Sequence, residues 1–233
     1  MPVHAVVLPA TVLLVPGAAG LARPVDRLRR AVRDELVRAV GPDGAWPARW
    51  GVLAPATRTA VGRRRPSLGA AGIADRWVPG LDRWPARSVA GRGGVPASVV
   101  QLVLGDAVGA DAAAEALVVE LAADADDASL AGAADALSAC DVLLVASGDP
   151  RGEGASSCTP AVATVLDRLA RAGGWTATTR SVTAAGPHLP GRYDVVTWSG
   201  VAPTDQVADA ANQPTPASSS QNRTVRPTRT VGT

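Results

Sequence analysis

The chain has no lysine and no phenylalanine, and holds only two histidines, two cysteines, one methionine and one tyrosine in 233 residues. Without lysine there is no Gly-Lys-Ser/Thr ending for a Walker A phosphate loop. With His4 and His188 as the only imidazoles, a metal site cannot draw on three histidines. Cys140 and Cys158 match no metal-ligand spacing and form no disulfide framework; they suit a reducing compartment, and a cytoplasmic location is expected. No stretch approaches the roughly 18 consecutive apolar residues of a membrane span. The apolar N-terminus has no basic lead-in and is interrupted by Pro9 and Pro16, so it reads as a strand rather than a signal peptide. All 23 basic residues are arginine, set against 21 acidic ones, and the net charge of +2 gives no broad field for nucleic acid. The one dense basic run, Arg63 to Arg65 ahead of Pro66, reads as a solvated loop.

What is present is enough for a core: 47% of residues are hydrophobic and 19% charged. His4–Leu8 and Val12–Val15 are short β-branched runs of the kind found in strands covered on both faces. Pro24 opens a helix in which Val25, Leu28, Val32, Leu36 and Val40 recur at helical spacing, with Asp34 four residues before Arg38. Gly41-Pro42 stops it. Arg49–Ala54 reads as a strand. Residues 56–94 read as an irregular, partly helical cover anchored by Trp77 and Trp84. Val95–Val108 has helical character, with Pro96 in its first turn; Ala116–Leu121 reads as a central strand; Asp126 or Asp127 caps the next helix. Trp175–Val182 and Tyr193–Trp198 are the last strands. From about Pro203 the composition turns to Ser, Thr, Pro, Asn and Gln, which predicts a disordered tail over 204–233. Strands alternating with helices predict a three-layer α/β/α domain over 1–203, with a mostly parallel central sheet.

The best-formed unit is the strand Asp141–Ala146, the polar loop 147–159 and a helix entered at Pro160. Loops after the carboxyl ends of strands are where ligands gather in open α/β sheets. The loop SGDPRGEGASSC has no dinucleotide GxGxxG register and no GxSxG elbow, yet it brings backbone N–H groups and hydroxyls to a helix N-terminus. Asp149 and Glu153 read either as an acid/base or metal pair, or as partners of Arg151. Cys158 sits near a helix start and Cys140 ahead of a buried strand, and both read as inert buried thiols. His4 falls at the strand edge opposite the ligand face, and His188 in a Gly/Pro loop.

Three patches carry a family resemblance: the early strand leading to VLLVPGAAG, the central VLLVASGD, and the closing GRYDVVTW. In order and spacing the chain resembles small actinobacterial proteins of the LigB-type superfamily, that of the class III extradiol ring-cleavage dioxygenases. The resemblance implies an α/β fold. In active members it implies Fe(II) held by two histidines and a carboxylate, with a further histidine as acid/base. The family's first histidine precedes the Pro-Leu-Leu-hydrophobic-Pro segment, but Leu8 to Pro16 here contains none; Ser147 to Gly152 replaces the family's Gly-Asp-Gly-Ser loop, again without histidine. The expectation is a catalytically degenerate relative, with no metal site assigned. It binds a small anionic or aromatic molecule, or serves as a structural module. The expected cleft is lined by Thr11, Ser147, Asp149, Arg151, Glu153, Ser156 and Ser157, with Asp149 as polar anchor. Two alternatives stand beside it. One is an active metal-dependent oxygenase using His188 with Asp149 and Glu153; the other is an unrelated α/β enzyme taking a phosphorylated ligand at the 147–159 loop.

Overall fold

The computed structural model describes residues 3–18, 25–39, 49–85, 91–148, 158–184 and 189–200. A seven-stranded sheet of order β3-β4-β2-β5-β1-β7-β6 runs through its centre. The strands are β1 (Val3–Pro9), β2 (Trp50–Pro55), β3 (Ala60–Gly62), β4 (Leu117–Leu121), β5 (Val142–Ser147), β6 (Thr176–Thr183) and β7 (Arg192–Ser199). The four inner strands β4, β2, β5 and β1 pair in parallel, and antiparallel β3 and β7 flank them. The expected α/β/α sandwich with a mostly parallel sheet is what the chain forms.

Alternation along the buried strands sorts the core into two layers. Val6, Leu8, Val52, Ala54, Val118 and Leu144 face one side, with α1 (Asp26–Arg38), α2 (Val95–Val108) and α3 (Ala110–Ala114). Ala5, Val7, Leu53, Val119, Leu143 and Val145 face the other, with α4 (Asp127–Ser138) and α5 (Pro160–Gly173). Gly51 lets α4 press onto β2. A Cβ there would meet Leu143 Cδ2 at 2.5 Å, and Cys140 Sγ and Leu137 Cδ2 at 3.0 Å each.

The start of α4 and the end of α5 follow the sequence signals, while Pro24 and Gly41-Pro42, expected to bound α1, lie outside the described residues. Asp126 caps α4 by accepting the Ser129 N–H at 2.8 Å, and Gly174 ends α5 in the left-handed region at φ 63°. Four expectations change. Val12–Leu14 is a 3-10 turn rather than a second strand, because the Thr11 hydroxyl accepts the Leu13 N–H at 3.4 Å. Arg29 of α1 then collects the carbonyls of Leu13, Leu14 and Val15 at 2.6 to 3.3 Å. Within α1, Arg38 pairs with the buried Glu35, while Asp34 reaches across to Arg180 of β6 at 3.0 Å. Trp84 does anchor the cover, packing onto Gly105 of α2, but Trp77 is 68% exposed with the Arg76 guanidinium 5.4 Å over its ring. Arg63 to Arg65 is not a freely solvated run: Arg63 pairs with Glu115 at 2.7 Å, Arg65 donates to the Leu81 carbonyl at 3.3 Å, and Arg64 turns inward. β3 and α3 were not expected at all. No helix among the described residues is long and apolar enough to cross a membrane. The predicted tail, 204–233, lies outside the described residues.

Candidate functional site

Two places at the carboxyl edge of the parallel strands draw notice. The first lies between β1 and β5, whose chains leave toward helices on opposite faces of the sheet. Pro9 registers with Ser147, and the Ala10 N–H donates to the Ser147 carbonyl at 2.9 Å, so the Thr11 turn and the end of β5 are brought together. Ser147 is buried, at 2% exposure, and Thr11 is half-buried with its hydroxyl committed to capping. Asp149, Arg151, Glu153, Ser156 and Ser157, the other candidate lining residues, lie outside the described residues, as does His188.

His4 sits at the opposite end of β1, where the register with β7 shifts between Val3 and Ala5. Its ring stacks on Trp175, with centroids 5.0 Å apart and planes 6° from parallel, and burial holds its pKa below 6.5. His4 therefore cannot join a ligand set at the carboxyl edge. Among the described residues no three His, Cys, Asp or Glu side chains come together as a metal site. Position 11, near which the resemblance would put an iron ligand, offers only the engaged hydroxyl of Thr11. The described residues do not fit a two-histidine, one-carboxylate centre. Burial pushes the Cys158 thiol up to about 11, with the Asp167 carboxylate adding to the rise, and it raises Cys140 as well. Both are poor nucleophiles at neutral pH.

The second place is a cavity, and the sequence pattern does not point to it. A cavity of about 580 Å³ opens at the carboxyl ends of β2 and β4, under the N-terminus of α2. Its walls come from three separate stretches: Pro55 to Ala60, Arg64 with Ala70, and Arg92 to Pro96. Glu120 of β4 forms its floor.

Local structure explains how these stretches meet. Residues 56–59 cross the end of β4, held by the Ala56 N–H on the Leu121 carbonyl at 2.8 Å and the Ala122 N–H on the Thr59 hydroxyl at 3.2 Å. Arg65 and Arg92 form a parallel bridge: the Arg65 N–H donates to Gly91 and the Gly93 N–H to Arg65, at 3.0 and 2.9 Å. That bridge sets Arg64 beside Arg92. Gly91 is required there, because its φ of 131° suits only glycine and a Cβ would stand 3.1 Å from Arg64 Nη1. Buried Ser98 and Gln101 of α2 complete the frame. Ser98 accepts the Ser67 N–H and donates to the Gly93 carbonyl, while Gln101 donates to the Arg64 carbonyl.

Glu120 is the one charged residue in the strand LVVEL and is only 5% exposed. Its Oε1 accepts the Gly94 N–H at 2.6 Å, which places a carboxylate on the positive end of α2. Its Oε2 lies 3.7 Å from Arg64 Nε, in a pair where the Arg64 side chain is 13% exposed. Arg58 and Arg92 stand at the rim, both exposed, with Arg92 reaching Asp75 only at 3.8 Å. The faint signals in sequence were an acid inside a Leu/Val strand and Arg92-Gly93-Gly94 just ahead of a Pro-started helix. Comparison of the chain with models of protein families and with curated proteins gives no match.

Proposed function

We propose that this chain is a small-molecule-binding α/β domain, built on a LigB-like plan and without ring-opening chemistry. Its ligand sits in the crevice at the carboxyl ends of β2 and β4. One observation carries the reading: a cavity of about 580 Å³, large enough for a metabolite, at the sheet edge where open α/β folds take ligands. Small side chains such as Ala56, Ala60 and Pro96 give it an apolar wall, and a few convergent polar groups supply orientation. Glu120, pinned by Gly94 and Arg64, sets the floor. The β1/β5 crevice, with Thr11 and Ser147, belongs to the LigB-like plan; the donors described there do not make an iron centre. Two free thiols suit a reducing compartment such as the cytoplasm.

Two measurements test this reading. Ferrous iron added to purified protein, with oxygen uptake followed on catechol and protocatechuate, should give no turnover. A crystallographic screen of metabolite-sized fragments should place ligand between Glu120 and Pro96. Oxygen consumption with ring opening would refute the degenerate reading, and a β2/β4 crevice empty across the whole screen would refute the binding site.

A further inference from the structure

We infer that the molecule taken by the β2/β4 crevice carries an oxyanion, a phosphate or carboxylate head, and that the rim arginines Arg58 and Arg92 grip it, with Arg64 in the wall behind them. This rests on the reading of that crevice as the ligand site. Three arginines and a single acid, Glu120, line the cavity. The arginines reach it from three different segments: the turn over β4, the arm after β3, and the lead-in to α2. Arginine presents a planar fork matched to carboxylate and phosphate oxygens, so a cavity with two exposed arginines at its rim favours such a head.

The helix N-terminus is not the recognition element. Glu120 already accepts the Gly94 N–H at 2.6 Å, so the positive end of α2 is answered from within the protein. The same carboxylate lies 3.7 Å from Arg64 Nε and holds that side chain in the wall. Glu120 is therefore a positioning residue, and the surplus positive charge belongs to the rim. Arg58 is exposed and outside every ion pair among the described residues, and Arg92 is 72% exposed with a loose contact to Asp75 at 3.8 Å. Both are able to close on a ligand without breaking a buried interaction. The hydroxyls of Thr57 and Thr59 stand on the same wall, and the Thr59 hydroxyl is already turned to the Ala122 N–H. The remaining lining is small and apolar, which suits a compact organic body behind the charged head.

Calorimetric titration of the full chain at low ionic strength tests this, with inorganic phosphate, glucose 6-phosphate and citrate as probes and glucose as the neutral counterpart. Binding of at least one anion, with none of glucose, is the expected result; the phosphate and citrate arms distinguish the two head groups. Arg58→Ala and Arg92→Ala should each weaken that binding about tenfold, the loss of one charge-assisted hydrogen bond. Both side chains are exposed, so these variants fold. Arg168→Ala removes an exposed arginine from α5, on the other face of the sheet, and should leave the affinity unchanged. Equal weakening by Arg168→Ala, or no response to Arg58→Ala and Arg92→Ala, overturns the inference. If catechol or another neutral molecule occupies the crevice and no anion does, the oxyanion head is refuted while the ligand site stands. If neither anions nor neutral molecules bind there, both fall.

Discussion

Glu120 offers the sharpest test of how the second crevice is built. Replacing it with alanine removes the acceptor of the Gly94 N–H, made at 2.6 Å, and the carboxylate beside an Arg64 side chain that is 13% exposed. Leaving a buried donor unmet costs about 1–3 kcal/mol, and the half-buried Gly94 N–H on the cavity wall falls at the low end of that range. Stripping one partner from a buried ion pair costs about 3–5 kcal/mol, but the 3.7 Å separation and the open cavity beside it put this pair well below that range. Together these give a loss of about 3 kcal/mol for Glu120→Ala. At about 2–4 °C per kcal/mol for a domain of this size, the Tm should fall by about 6–12 °C. Glu120→Gln keeps an amide oxygen for Gly94 and loses only the charge, so it should cost about half as much, ~1.5 kcal/mol. Urea unfolding followed by far-UV circular dichroism, with calorimetry for Tm, measures both variants. A Glu120→Ala protein within about 0.5 kcal/mol of wild type would refute the reasoning, since that is the range of an ordinary surface change. A Gln variant as unstable as the Ala variant would show that charge, not the Gly94 contact, dominates.

Other consequences are equally open to measurement. Gly51→Ala drives a methyl into Leu143 and Leu137 and should cost about 1–3 kcal/mol in urea unfolding. Leu143→Ala in the same chain should recover part of that loss, and strict additivity of the two would count against the contact. Burial holds the His4 imidazole below 6.5, so on acidification the unfolded chain takes up the proton first. His4 thus contributes stability that is full above pH 6.5 and lost as the pH falls from there through its folded value. The Tm of His4→Gln should decline less steeply with acid than that of wild type, and parallel curves would contradict this. With Cys158 pushed up to about 11 and Cys140 also raised, iodoacetamide at neutral pH should modify the native protein far more slowly than the urea-unfolded one. Equal rates in the two states would show the thiols to be open and activated.

The fold was readable because its central strands are dense in branched residues and its helices carry ordinary signals. His4–Leu8, Arg49–Ala54 and Asp141–Ala146 fall on β1, β2 and β5, and Asp126 and the Gly173-Gly174 pair mark helix ends. What failed did so for physical reasons. Val12 to Val15 has strand composition, but a capping threonine and the reach of Arg29 bend it into a turn. β3 is three residues long, too short for any period to register. The crevice at β2 and β4 was missed because Arg64, Arg92 and Glu120 are distant in sequence, and only the Arg65–Arg92 bridge and strand pairing join them. Trp77 and Trp84 look alike in sequence; packing against Gly105 separates the buried one from the exposed one.

The order of the sheet has a kinetic side. Val52 of β2 lies between Val118 and Leu144, so each central pairing closes a loop of many tens of residues before it yields a contact. The floor of the β2/β4 crevice, Glu120, meets the walls only when the β2–β4 loop has closed. A ligand held between that floor and those walls binds the paired strands together. Such a ligand would act as a thermodynamic brake on unfolding, raising stability with the logarithm of its concentration. In a domain assembled from distant contacts, occupancy and persistence of the fold would become one linked quantity.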